Sequence, residues 1–113
     1  MKLPFEASLL RIFIGESDKL DGKPLCDVIV ENARKQGLAG ATASRGFLGF
    51  GANSRIHTSK VLRLSEDLPI IIEIVDAREK IEAFLPELDK LIGEGLVTME
   101  KVQVIAYRHN SKT

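Results

Sequence analysis

The chain has 113 residues, 44% of them hydrophobic and 28% charged, and its sixteen Lys and Arg balance sixteen Asp and Glu. That describes one soluble domain with enough apolar material to build a core without disulfides or metals. The neutral balance, the absence of Trp and the single Tyr argue against a dedicated nucleic-acid module, which would be basic and carry stacking platforms. Cys26 stands alone and allows no internal disulfide, which fits a reducing compartment such as the cytosol. Glu6 and Arg11 interrupt the N-terminal apolar residues, so no signal peptide is expected. No apolar run is long enough to insert in a bilayer.

Glu6 to Ile14 is dense in apolar and β-branched residues and predicts a central first strand. Its alternation puts Ser8, Leu10, Ile12 and Ile14 on one face and Ala7, Leu9, Arg11 and Phe13 on the other. A polar stretch, 16–23, follows, with Asp21-Gly22 as a turn signal. Pro24 suits the first turn of a helix carrying Leu25, Val28, Ile29 and Ala33 at helical spacing. Gly37 ends it, after Arg34 and Lys35 in the last turn. Residues 38–46 alternate small side chains and read as a weak strand.

Residues 56–64 suggest a short strand within a long excursion, and 65–69 form a break. Ile70 to Val75 is the clearest strand. Asp76 and Glu79 then resemble an acidic capping box for a second helix. Ile81, Phe84, Leu85, Leu88 and Ile92 give that helix its apolar stripe, and Pro86 predicts a kink. Gly93-Glu94-Gly95 closes it, Leu96 to Met99 reads as a brief extended piece, and Val102 to Tyr107 as the last strand. Residues 109–113 are expected to be a frayed tail. The order strand, helix, strand, long loop, strand, helix, strand predicts one α+β domain over 1–113. Its fold class is a ferredoxin-like split βαβ sandwich, βαββαβ.

The stretch Arg45 to Arg55 is the chain's candidate binding element. It holds Gly46, Gly49 and Gly51 between two arginines, with Phe47 and Phe50 set among them. Glycine lets a ligand approach the main chain, and arginine offers a planar fork for phosphate or carboxylate. No Gly-Lys-Ser/Thr closes it, so it is not a P-loop, and its spacing is not a Rossmann fingerprint. His57 and His109 share no metal-like spacing with carboxylates or Cys26, so no metal site is expected. Cys26 lies near a helix N-terminus but is read as a packing residue. No nucleophile stands near a general base in a recognisable pattern, so the chain is not read as an enzyme. Glu66-Asp67 is read as solvated turn charge.

Both helices of such a fold cover one face of the sheet. Whichever alternation is chosen, the other face carries apolar residues from the first and last strands. Leaving several of them wet would forfeit several kcal/mol at about 25 cal/mol per Å2. Self-association is the expected cover.

Three stretches carry a resemblance: Leu9 to Glu16, Ala41 to Gly51, and Pro69 to Asp76. Through them the chain resembles the PII-like signalling proteins, the domain-of-unknown-function group 190, which are relatives in fold of the nitrogen-regulatory PII proteins. The resemblance spans Glu6 to Tyr107. It implies a homotrimer with sheets inward, helices outward and ligand sites in the clefts between subunits. PII proteins bind adenine nucleotides there, which implies Gly93, Gly95 and Lys101 from one side of the cleft. Arg45, Gly46 and Gly49 would come from the other. The turn Gly93-Glu94-Gly95-Leu96-Val97-Thr98-Met99-Glu100-Lys101 departs from the PII pattern, and Glu94 sets a negative charge beside the implied phosphate. Association of some members with fluoride-export channels implies a membrane transport protein as partner.

The resulting expectation is a cytoplasmic regulatory protein. A small anion, an adenine nucleotide for choice, would bind Arg45, Gly46, Phe47, Gly49, Phe50, Gly51, Arg55, Gly93, Gly95 and Lys101. It would signal through the loop 46–64. Two alternatives stand beside it: a ligand-free scaffold or interaction protein, and a divalent-cation-binding relative of the same fold.

Overall fold

The structure is a computed structural model that describes residues 2–51 and 67–109. Arg55, His57, the strand expected over 56–64 and the last four tail residues lie outside the described residues.

Eight elements follow in order: β1 Glu6–Gly15, β2 Lys19–Leu20, β3 Lys23–Pro24, α1 Leu25–Lys35, β4 Thr42–Arg45, β5 Pro69–Asp76, α2 Arg78–Leu91 and β6 Leu96–Gln103. The main sheet has the order β4-β5-β1-β6, antiparallel throughout. This is the βαββαβ ferredoxin-like arrangement, with the most apolar strands, β1 and β5, at its centre. Ile12 pairs with Ile72 on one side and Val97 on the other. β2 and β3 form a separate small hairpin. Its turn is the Asp21-Gly22 signal, both residues at positive φ (51° and 82°), as a two-residue type I′ hairpin turn requires.

The face alternation of β1 decides where the core lies. Leu10, Ile12 and Ile14, with Ile72 and Ile74 from β5, are buried under Leu25, Ile29 and Ala33 of α1 and Ile81, Phe84 and Leu88 of α2. α2 runs through Pro86, which sits on its exposed side, where water can serve the carbonyl that the proline leaves without a donor.

Two expectations are corrected. The last strand is Leu96–Gln103, not Val102 to Tyr107. β1 begins at Glu6, which pairs with Gln103, and the final bond is Val104 N–H to the Phe5 carbonyl at 2.7 Å. Beyond that point there is no ladder for β-prone residues to join. Asp76 does not cap α2, whose first turn has no side-chain cap. β5 runs through Asp76 and turns its carboxylate inward. There it accepts from the Ala39 N–H at 2.8 Å and the Ala77 N–H at 2.7 Å.

The sheet face away from the helices carries Leu9, Phe13, Ile71 and Val75, all only partly buried, and Leu96, which is exposed. A charged row crosses its middle. Arg11 donates to Glu73 at 2.9 Å and to Glu100 at 3.3 Å. β6 is also open on its helix side, where Val97 and Met99 are exposed. Neither helix reaches over this edge strand.

Candidate functional site

β4 ends at Arg45, and the long excursion leaves and re-enters the sheet between Gly46 and Pro69. The two stems are closed by Gly46 N–H donating to the Pro69 carbonyl at 2.8 Å. A Cβ on Gly46 would stand 2.9 Å from the Pro69 ring, and one on Gly49 would stand 3.1 Å from it. These two glycines therefore let the incoming chain lie against Pro69, and the Gly46 N–H is already engaged. Beyond them Phe47 and Phe50 project outward, 81% and 71% exposed.

A third wall comes from the turn after β1, which sequence reasoning missed. Glu16 Oε2 accepts from Arg45 Nη1 at 2.6 Å. Glu16 N–H donates to the Leu68 carbonyl at 2.8 Å. Ser17 donates to Asp67 Oδ1 from both its backbone N–H (3.0 Å) and its hydroxyl (2.7 Å). Asp67 is thus a structural acceptor, held at φ 47°, rather than only a solvated turn charge. Gly15 lies so close that a Cβ there would stand 2.6 Å from Asp67 Oδ1. The one available signal was the dense turn chemistry of Gly15-Glu16-Ser17-Asp18.

The other expected half of the site lies across the sheet. Gly95 stands beside Phe13 and Ile14 of β1, level with Arg45, whose ladder partner is Ile70, itself opposite Ile14. Arg45 and Gly95 therefore share one end of the sheet but sit on opposite edges. Three strand spacings separate them, roughly 14 Å. Lys101 pairs with Ser8 toward the other end of β6, six residues from Gly95 or roughly 20 Å. One protomer does not bring these residues together.

Gly93 and Gly95 line a shallow cleft of about 620 Å3 with Leu85, Pro86, Ile92 and Val97. A second of about 520 Å3 lies on the open face between Leu9, Thr42, Glu73, Val75 and Tyr107. Arg45 lines neither. Gly95 is tightly constrained: its φ is 152° and a Cβ would meet the Phe13 carbonyl oxygen at 2.7 Å. Nothing lies within 4 Å of the Cβ position at Gly93. Gly95→Ala is therefore expected to cost about 1–2 kcal/mol in urea unfolding, and Gly93→Ala less than about 0.5 kcal/mol. Equal effects would show that the turn does not depend on the Gly95 contact.

The Cys26 thiol is half-buried, and burial, with Asp27 beside it, pushes its pKa above the usual thiol range. That removes the acidified thiol that its helix position allows. Among the described residues no group of three or more His, Cys, Asp or Glu is placed to hold a metal ion. No described helix is long and apolar enough to cross a membrane.

Comparison with known proteins gives the family and the fold. The chain is 42% identical over 97 residues to a UPF0166 protein of Aquifex aeolicus, covering 86% of this chain and 91% of that one. It is 34% identical over 100 residues to the UPF0166 protein MJ1524 of Methanocaldococcus jannaschii, covering 88% and 92%. Among solved structures, a putative PII-like signalling protein (TTHA0516) of Thermus thermophilus superposes with a TM-score of 0.61 at 19% identity, covering 88% of this chain and 90% of that one. CPII of Thiomonas intermedia K12, bound to ADP and bicarbonate, gives 0.57 at 20%, covering 88% and 89%. At such identities these two structures show a common fold. Residues 7–104 match the family model described as Uncharacterized ACR, COG1993, so the chain belongs to the DUF190 family and has the fold of PII-like signalling proteins.

Proposed function

We propose that the protein is a regulatory module that works as a homotrimer and binds a small anionic ligand, an adenine nucleotide for choice, between subunits. One observation carries this reading. The two glycine-bearing halves of the candidate site lie at the same end of the sheet on its opposite edges. A ring of copies would bring the β6 edge of one against the β4 edge of the next, joining halves that a single copy keeps apart. The apolar open face supplies the reason to assemble. CPII, of similar fold, is bound to ADP and bicarbonate in one structure and to ADP, AMP and bicarbonate in another.

In this reading Arg45 pairs with phosphate and the open turn at Gly93 receives it from the neighbouring copy. Phe47 or Phe50 covers a base or a partner. The loop 46–64 then gains or loses a protein partner in the cytoplasm, a membrane transport protein being the kind that the family resemblance implies. The test is calorimetry with ATP, ADP, AMP and cyclic nucleotides. ADP is expected to bind, and Arg45→Gln to weaken it about tenfold, the scale of one charge-assisted hydrogen bond. Silence across the panel removes the nucleotide.

The exposure of Phe47 and Phe50 favours a second reading, a scaffold that holds a protein partner and no small ligand. The same titration separates the two, since a scaffold releases no heat with any nucleotide.

A further inference from the structure

We infer that Glu16 is a built-in competitor for the anion at Arg45 and sets the affinity and anion response of that site. The inference rests on the proposed binding of an anion there, and it adds a residue from a different part of the chain. Arg45 has a partner before any ligand arrives: its Nη1 donates to Glu16 Oε2 at 2.6 Å. The Arg45 side chain is still 59% exposed, so an anion can reach it from solvent.

Glu16 is not a free surface carboxylate that happens to lie near. Its own N–H is tied to the Leu68 carbonyl, and the next residue, Ser17, is tied twice to Asp67. Gly15 N–H donates to Asp18 Oδ2 at 2.9 Å, closing the turn from the other side. The turn is therefore braced against the outgoing stem of the excursion and presents Glu16 to the last residue of the incoming strand. Glu16 is in contact with Arg45, and Asp18 and Asp67 stand in the same braced turn as Glu16. An arriving phosphate must displace Glu16 from Nη1 or share the guanidinium with it, and in either case tolerate its charge.

Two consequences follow. The anion binds less tightly than Arg45 alone would allow. Where it displaces Glu16, that carboxylate loses its cation on the turn whose backbone and Ser17 hold residues 67 and 68. Occupancy is thereby coupled to the root of the excursion through one side chain.

The experiment compares the wild-type protein with Glu16→Gln, Glu16→Asp and Arg45→Gln, titrating each with ADP and with pyrophosphate at low and high salt. Thermal unfolding checks that each variant is folded. Exposed ion pairs of this kind correspond to roughly twofold to fivefold in an equilibrium constant. Glu16→Gln is therefore expected to bind ADP about twofold to fivefold more tightly, and Glu16→Asp, whose shorter chain reaches Arg45 less well, by a smaller factor. The gain should shrink as salt screens the charge.

If the wild-type protein binds ADP and Glu16→Gln binds it equally or more weakly, the inference is overturned while the nucleotide reading stands. If neither binds ADP but Glu16→Gln binds pyrophosphate more tightly, the nucleotide reading fails and the competitor role holds. If no variant binds either anion, both are overturned.

Discussion

Phe13→Asp is expected to leave a folded single protomer, whereas the wild-type protein is expected to sediment as the proposed trimer. Phe13 lies on the open face, between Ile71 of β5 and Leu96 of β6, with Leu9 and Val75 further along the same face. Its alternate neighbours Ile12 and Ile14 are buried under the helices, so the substitution does not touch the core. In a protomer alone, the introduced carboxylate would reach water from a half-buried position and cost about 1 kcal/mol. In an assembly closed over this face it would be an unpaired charge removed from water, which costs several kcal/mol.

Three copies each carry the substitution, so dissociation should be essentially complete at micromolar concentration. Sedimentation velocity on both proteins checks it. A variant that keeps the wild-type mass would show that assembly uses another surface. A wild-type protein that is itself monomeric would leave the open face without the proposed cover.

The charged row of Arg11, Glu73 and Glu100 gives the same face a polar centre. Once covered, it would need each partner, because removing one leaves a buried charge unpaired. Its value in the protomer alone is small, since all three groups remain part-exposed.

The second large effect is Asp76→Ala, which should destabilise the fold by about 2–4 kcal/mol, lowering the melting temperature by roughly 10–20 °C. Asp76 is only 2% exposed, and its two carboxylate oxygens each accept one backbone N–H, from Ala39 and from Ala77. It joins the end of β5, the start of α2 and the connection between α1 and β4. Tyr107 reinforces the same connection by donating its hydroxyl to the Ala39 carbonyl at 3.1 Å.

Alanine would leave the Ala39 and Ala77 N–H groups without their acceptor in a crowded place. Asp76→Asn keeps the shape and one acceptor oxygen but turns an NH2 toward the other donor, so it should lose a smaller share. Chemical and thermal unfolding of both variants checks the order. A loss below about 0.5 kcal/mol for alanine would mean that water reaches these donors and that the carboxylate does not hold the junction.

Both predictions concern residues that the sequence shows but does not explain. Phe13 and its neighbours announce their face by alternation. Asp76 has the look of a helix cap, and only the course of β5 through it turns the carboxylate sideways toward Ala39. The last strand follows the same logic. Val102 to Tyr107 has the stronger β composition, yet Leu96 to Gln103 is the strand, because Glu6 to Phe13 is where β1 offers a ladder.

The sequence by itself determined the order of the four main-sheet strands and two helices, the central place of β1, most of the buried stripe of each helix and the turn at Asp21-Gly22. Each of these is a local pattern of period two, period 3.6 or backbone freedom, and such patterns act over a few residues wherever the chain lies. Only the tertiary structure decided that Gly95 and Arg45 stand on opposite edges, and that Lys101 lies toward the far end of β6. It alone also decided that Glu16 meets Arg45, and Ser17 meets Asp67, at the root of the excursion. Those two contacts join residues 29 and 50 positions apart. They depend on strand order and register, which long-range packing selects and local patterns leave open.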